Sequence, residues 1–307
     1  MPLIFHRKEF LVVVLALGMV SRSCGLPFKT LQATPEPTVQ LPQPKAADTS
    51  LPTVISATDT PEQPTSSPEP THDTAPTLIS PPQADFGGVT FFYDPQIASS
   101  VSGEEVSAVG SGQGAPREVQ PAAIKFSFDG YPVADSINTP VILIYPVKDY
   151  QSVSDAAAKI IDELRQVIAT HPQNFPAEGL PFLPSWNAAQ MMHTKVAYFD
   201  FSNGTGVRYL TQYGQATSPI NNRYLFYTYQ GLTSDDKYYI SAIFPVTNAI
   251  LPPDSSVVPG GDYQAFSDNF LTYLAGMQDK LDAQPEDAFL PSLTMLDNMI
   301  KSITISK

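Results

Sequence analysis

The chain has 307 residues, is 42% hydrophobic and carries a formal net charge of −13 at pH 7. That acidic balance argues against nucleic acid and anionic lipid head groups as partners, because affinity for phosphates depends on Lys and Arg. A single cysteine excludes an internal disulfide framework and a thiolate cluster for a metal.

The first 24 residues have the organisation of a secretory signal. Two basic residues precede an apolar run, Phe10–Val20, which is shorter than the roughly 20 residues a transmembrane helix needs. The only cysteine, Cys24, follows directly after a short polar stretch. This arrangement resembles the lipobox of bacterial lipoproteins, although Ser21 and Arg22 depart from the residues that family prefers. The resemblance implies a lipidated Cys24 that holds the chain on the bilayer. A plain signal peptide or a retained signal anchor are the alternatives.

Residues 25–85 contain thirteen prolines and one aromatic residue, Phe28. A segment of that composition buries too little apolar surface to offset its chain entropy, which predicts a disordered tether. A Pro-rich ligand for another domain is the alternative. No basic residue is placed to orient such a docking.

Residues 86–307 hold all fourteen tyrosines and the single tryptophan, with twelve Lys and Arg against 22 Asp and Glu. This predicts one globular domain with an acidic surface. Short β-branched and aromatic runs predict three strands, at Val89–Tyr93, Ala123–Phe128 and Val141–Tyr145. A helix is predicted from Ser152, with Asp155 completing a capping box, to Thr170.

A β-meander is expected next. Lys195–Phe201 and Gly206–Tyr213 flank Asn203-Gly204, a pair that favours a hairpin because both residues accept positive φ. Arg223–Tyr229 and Lys237–Phe244 predict a second hairpin. Both faces of the strand from Arg223 are apolar, so the sheet should be covered on both sides. The covering helices are predicted to begin at Asp262 and near Pro291.

The resulting order, β-β-β-α-β-β-β-β-α-α, favours an α+β fold with a mainly antiparallel sheet covered by helices. The late meander and the terminal helix ending in Met299–Ile303 resemble the PsbP-like α/β/α sandwich over residues 86–305. The stretch from Gly206 to Thr233 also resembles a group of uncharacterised exported bacterial proteins. PsbP-like domains are mostly non-catalytic assembly or binding modules, so the resemblance implies binding rather than catalysis.

The residues give little sign of catalysis. His171 and His193 have no second ligand at zinc spacing, and neither a Gly-x-Ser-x-Gly elbow nor a dinucleotide fingerprint is present. Ser185, His193 and Asp200 supply the residue types of a hydrolase triad without its motif. We therefore predict no catalytic residue, no metal ligand and no cofactor.

The candidate binding residues are aromatic. The loop Leu180–Trp186 places apolar side chains between prolines, where they either plug the core or line a recess. Tyrosines are concentrated in the meander that follows. We predict a ligand cleft bordered by five residues: Phe182, Trp186, Tyr209, Tyr213 and Tyr227.

The sequence thus predicts a tethered, non-catalytic extracytoplasmic module whose partner is an envelope protein or a glycan. An exported hydrolase acting on cell-wall or polymeric substrate is the alternative. A purely structural envelope component is a third possibility.

Overall fold

The computed structural model describes residues 80–110, 119–175 and 179–306. The chain divides into two units, Met1–His72 and Asp73–Lys307, and all described residues belong to the second. The predicted signal, Cys24 and nearly all of the predicted tether lie outside the described residues. Within the described part, no helix is long and apolar enough to span a membrane.

A seven-stranded antiparallel sheet forms the centre of the fold. Its strands, in chain order, are β3 (Ser100–Val106), β4 (Ala123–Asp129), β5 (Val141–Pro146), β6 (Ala189–Phe201), β7 (Gly204–Gly214), β8 (Phe226–Thr233) and β9 (Tyr238–Pro245). Their spatial order is β3-β4-β5-β9-β8-β7-β6. The last four strands in sequence are therefore a meander joined at β9 to the first three.

Short strands and helices complete the fold. A small sheet contains β1 (Gln83–Phe86), β2 (Val89–Phe92) and β12 (Thr304–Ile305), and a two-stranded pair contains β10 (Thr247–Asn248) and β11 (Phe289–Leu290). The helices are α1 (Val147–Val153), α2 (Asp155–Thr170), α3 (Tyr263–Asp268), α4 (Phe270–Asp282) and α5 (Leu293–Lys301), with a 3₁₀ turn at Glu286–Ala288.

Helices cover both faces of the central sheet. On one side, the α1–α2 face, strand residues such as Tyr209 and Tyr239 pack with Ile161 and Leu164 of α2. The other side, the α4–α5 face, is covered by α4, α5 and the small sheet. Strand β8 is buried at all eight positions, as its two-sided apolar pattern predicted. The α+β class and the antiparallel sheet are therefore confirmed.

The helix predicted from Ser152 to Thr170 is α2 preceded by the short helix α1, and its N-cap is not the predicted residue. The side chain of Ser154, not Ser152, accepts a hydrogen bond from the Ala157 amide and starts α2. The Ser152 hydroxyl instead donates to the Asp149 carbonyl oxygen within α1. The predicted capping box was wrong because a short helix precedes α2 and uses Ser152 in its own last turn.

The first hairpin forms where predicted, but for a different reason. Neither Asn203 nor Gly204 has a positive φ. The Asn203 side chain instead exchanges two hydrogen bonds with the backbone of Ile305 in β12. A Cβ atom at Gly204 would lie 2.3 Å from the Leu232 carbonyl oxygen, so close strand approach requires glycine there.

The sequence did not predict β1, β3 or the two-residue strands β10, β11 and β12, and β1 moves the start of the domain. Strand β1 includes Gln83–Asp85, which the sequence assigned to the tether. Strand β3, with sequence SVSGEEV, lies at the edge of the sheet and alternates only between half-buried and exposed positions. A polar edge strand lacks the hydrophobic run by which strands are recognised.

Candidate functional site

A loop at residues 179–188, which we call the Trp186 loop, lies on the α1–α2 face beside α2. Its first residues are fixed by side chains of the sheet. The Leu180 amide donates to Gln190 Oε1 at 2.8 Å, and Gln190 Nε2 donates back to the Leu180 carbonyl oxygen at 3.2 Å. The Tyr209 hydroxyl donates to the Pro181 carbonyl oxygen at 2.9 Å. The loop is thus fastened to two neighbouring strands.

A fully buried glutamine, Gln230, anchors the middle of the loop. Its Oε1 accepts hydrogen bonds from the Leu183 amide, at 3.0 Å, and from the Tyr239 hydroxyl. Its Nε2 donates to Thr228 Oγ1 at 2.8 Å and to Ser241 Oγ at 3.1 Å. The Ser241 hydroxyl in turn donates to the Leu183 carbonyl oxygen. This uncharged network satisfies both backbone groups of Leu183, so the loop has a defined position on the sheet.

The loop ends in a cluster of four aromatic rings. Trp186 lies 4.9 Å from Phe182, 5.1 Å from Tyr213 and 5.2 Å from Phe226, measured between ring centroids. Phe182 and Phe226 are buried, whereas Trp186 and Tyr213 are half-buried. Edge-to-face contacts of this kind hold the indole in one orientation while leaving part of it accessible.

Two clefts meet at Trp186. The first, the helix cleft, has a volume of about 770 Å³ and lies between the C-terminal half of α2 and the Trp186 loop. The second, the strand groove, has a volume of about 490 Å³ and lies between the loop, residues 137–139 and strands β5 and β9. Trp186, Ala188 and Tyr213 line both. Each volume is in the range of ordinary ligand sites.

The linings of the two clefts differ in polarity. The described lining of the helix cleft combines apolar residues with one carboxylate, that of Glu163, and five uncharged polar residues: Gln166, Thr170, Asn174, Ser185 and Gln190. The strand groove is lined mainly by aliphatic and aromatic side chains, with Asn138 and Thr139 at one end. No Lys, Arg or His occurs among the described residues that line either cleft.

The structure brings together three of the five predicted binding residues. Phe182, Trp186 and Tyr213 form the aromatic cluster between the clefts. Tyr209 is fully buried beneath the loop, where its hydroxyl supports Pro181. Tyr227 was wrongly grouped with them, because successive side chains of a strand point to opposite faces and Phe226 takes the cleft side. Tyr227 is buried on the α4–α5 face, and its hydroxyl donates to Asp297 Oδ1 at 3.0 Å.

Sequence reasoning missed the residues that hold the site in place. Gln190 and Gln230 were passed over, although a glutamine inside the apolar run of β8 is a signal that a buried hydrogen-bond partner exists. Ile137 at the rim of the strand groove was also missed. It is 54% exposed and comes from a connection with no periodic pattern.

The residue types of a hydrolase triad are not assembled into one. His193 and Asp200 both lie on β6, seven positions apart, which separates them by roughly 20 Å along an extended strand. The His193 ring packs edge-on against Phe175, with centroids 4.8 Å apart. Burial lowers the pKa of His193, and the nearby Asp282 carboxylate offsets this in part. Ser185 lines the helix cleft without a histidine beside it among the described lining residues.

The α4–α5 face has a charged centre. Arg208 is almost fully buried, with Nη1 at 3.2 Å from Glu286 and Nη2 at 3.4 Å from Asp297. Burial raises the pKa of Asp297, with Arg208 acting in the opposite direction. Neither cleft is lined by these three residues. Among the residues that the structure describes, no group of acidic, histidine or cysteine side chains is arranged to hold a metal ion.

Comparison with known proteins adds nothing to this geometry: no family model, curated protein or solved structure matches the chain.

Proposed function

We propose that the protein is a membrane-tethered, extracytoplasmic binding module without catalytic activity, whose ligand occupies the two clefts around Trp186. In this proposal Cys24 carries the lipid anchor, the Pro-rich residues 25–79 form the tether, and the described domain is a PsbP-like sandwich. The domain would work as a receptor or assembly module at the cell envelope.

The observation that carries the proposal is the position of Trp186. Its ring is half-buried, lines both clefts and is held by three other aromatic rings. A ligand that contacts such a ring does not have to order it first, which reduces the entropic cost of binding. Tryptophan is also the residue type most often found to dominate binding energy at interfaces.

The chemistry of the lining supports binding rather than catalysis. General acid–base chemistry needs positioned titratable groups with suitable partners. The described lining offers one carboxylate, Glu163, and no histidine, lysine or arginine. Shape and apolar contact are therefore the main properties with which this site can recognise a ligand.

Site-specific photo-crosslinking tests the binding site. A benzophenone amino acid is placed at Ile137, 54% exposed at the strand groove, or at Leu271, 80% exposed on α4 of the opposite face. We expect a defined adduct in native membranes from position 137, none from position 271, and loss of the adduct in Trp186→Ala. Equal labelling at both positions, or labelling that survives Trp186→Ala, would contradict the proposal.

Stability must be measured on the same Trp186→Ala protein. Full burial of a Trp gives losses of about 3–5 kcal/mol on truncation to Ala, so a half-buried ring should cost about 2 kcal/mol. A loss near 5 kcal/mol would identify Trp186 as a core plug and remove the basis for the proposal.

The anchor is tested separately with Cys24→Ala. Stable anchoring requires two hydrophobic attachments, which a diacylglyceryl group and an amide-linked acyl chain supply. We expect release from membranes or accumulation of an uncleaved precursor, seen by fractionation. Unchanged membrane retention with an N-terminus cleaved elsewhere would refute the lipid anchor and leave the binding site untouched.

A further inference from the structure

We infer that the clefts around Trp186 bind an extended polypeptide segment of a partner protein, with its apolar side chains in the strand groove and a basic side chain beside Glu163 in the helix cleft. The inference rests on the proposed function, since it names the ligand class of the same site.

The strand groove selects apolar side chains. Val141 and Leu143 of β5 are half-buried along it, Phe226 and Ile243 form its base, and Ile137 is exposed at its rim. A saccharide placed there would lose water from hydroxyl groups that find few partners, and each unpaired polar group costs free energy. Aliphatic side chains have no hydrogen bonds to water to lose, and burying their apolar surface is favourable.

The helix cleft offers partners for peptide groups. The side chains of Gln166, Asn174 and Ser185 line it and make no hydrogen bond to another described residue. Amide and hydroxyl side chains both donate and accept, which matches the alternating N–H and C=O groups of an extended backbone. Trp186 and Tyr213 line both clefts, so a chain that passes over these two rings can place side chains in each.

Charge determines the orientation of the segment. Glu163 is exposed, and among the described residues no cation lies within ion-pair distance of it. Arg165, two positions along α2, is already paired with Asp162 and Asp236. A Lys or Arg on the ligand therefore meets an unneutralised carboxylate, in a domain whose overall charge is negative. An acidic side chain there is repelled.

The test begins with a phage-displayed library of random peptides about twelve residues long, selected in parallel on the full chain and on its Trp186→Ala variant. We expect enrichment, on the unmodified chain only, of peptides that carry Leu, Ile, Val or Pro clusters followed within a few residues by Lys or Arg. No enrichment over the variant, or enrichment of acidic peptides, would overturn the inference.

Affinity is then measured by fluorescence, because Trp186 is the only tryptophan and its emission reports on this site alone. An exposed ion pair changes affinity by at most about fivefold, so replacing the basic residue of a selected peptide by Glu should weaken binding by about that factor. Glu163→Gln should remove most of the difference between the two peptides. Ile137→Ser should weaken the binding of both peptides, and Leu271→Ser should leave the binding of both unchanged. All three substituted positions are exposed, so the variants should fold.

A neutral hexasaccharide titrated against the full chain separates the inference from the proposed function. Saturable change in Trp186 emission with the saccharide, and none with peptides, would refute the peptide ligand and leave a binding module in place. If neither the peptides nor the hexasaccharide bind, and position 137 gives no crosslink, then the peptide ligand and the proposed binding function are both refuted.

Discussion

The polar centre that holds the cover differs between the two faces of the central sheet. On the α4–α5 face it is charged: Arg208 pairs with Asp297 and Glu286, and Tyr227 donates to Asp297. On the α1–α2 face it is neutral: Gln230 and Ser241 bind the backbone of Leu183. The charged centre joins α5 to the sheet, whereas the neutral one joins a loop to it.

This difference between the two faces indicates which of them has room for a ligand. Helices and a second small sheet cover the α4–α5 face, so its polar centre is enclosed by regular structure. On the other face the Trp186 loop lies beside α2 and contributes to the cover. The helix cleft and the strand groove both border this loop. The predictions below perturb both faces or one of them, and Trp186 fluorescence reports on the α1–α2 face.

Alkaline pH should have the largest effect, because it acts on both faces together. Burial raises the pKa of tyrosines on each face, among them Tyr229 on one and Tyr209 and Tyr239 on the other. A raised pKa means that the folded state holds the proton more tightly. Its stabilising contribution is complete below the unfolded pKa of about 10 and is lost as the pH rises above that value. We expect tyrosine absorbance and circular dichroism to change together above about pH 10. Tyrosine ionisation in a protein that keeps its dichroism would contradict this.

Asp297→Ala should cause the largest loss among single substitutions. It leaves the buried guanidinium of Arg208 with only Glu286, and removing one member of a buried ion pair typically costs about 3–5 kcal/mol. Urea unfolding measures the loss. Trp186 emission in the native state should not change, because the ion pair lies on the opposite face. A cost below about 1 kcal/mol would show that the charged centre does not hold α5.

Gln230→Leu should lower stability and also change the environment of Trp186. It removes the acceptor shared by the Leu183 amide and the Tyr239 hydroxyl, and each buried group left unsatisfied costs about 1–3 kcal/mol. We expect a red-shifted Trp186 emission, since the loop loses its central attachment.

The matched control is Gln212→Leu. Gln212 is equally buried, but it faces the α4–α5 side, where it binds the Pro219 carbonyl oxygen and the Asn221 amide. The Gln212→Leu variant should lose a similar free energy of unfolding and leave Trp186 emission unchanged. Equal emission shifts in both glutamine variants would break the distinction between the two faces.

Gly276→Ala should have the smallest effect on the free energy of unfolding, and it should raise stability rather than lower it. Gly276 lies inside α4, and a Cβ atom there would meet no other atom within 4 Å. Alanine in a helix interior is more stable than glycine by about 0.5–1 kcal/mol. We expect thermal or urea unfolding to show this increase in stability, and we expect peptide affinity to stay unchanged. A loss of affinity would mean that the cover of the α4–α5 face affects the clefts.

Features that depend on neighbours along the chain were predictable from the sequence. Alternation and β-branched runs located β4, β5 and the meander, and an apolar stripe located α2. The Pro-flanked aromatic loop pointed to Phe182 and Trp186 as candidates because apolar residues outside any period must either fill the core or line a recess. The structure places them in both roles, with Phe182 buried and Trp186 half-buried.

Which residues meet across the sheet depends on how distant segments pack, and no local pattern predicts it. Alternation in β8 separates Phe226 from Tyr227, but which of the two faces carries the Trp186 loop depends on how distant elements pack. Gln230 and Leu183 are 47 positions apart, and Tyr227 and Asp297 are 70 apart, so no local pattern links either pair. The clefts lie where the Trp186 loop meets α2 and where it meets β5 and β9, and that arrangement is a property of the packed layers rather than of any one segment.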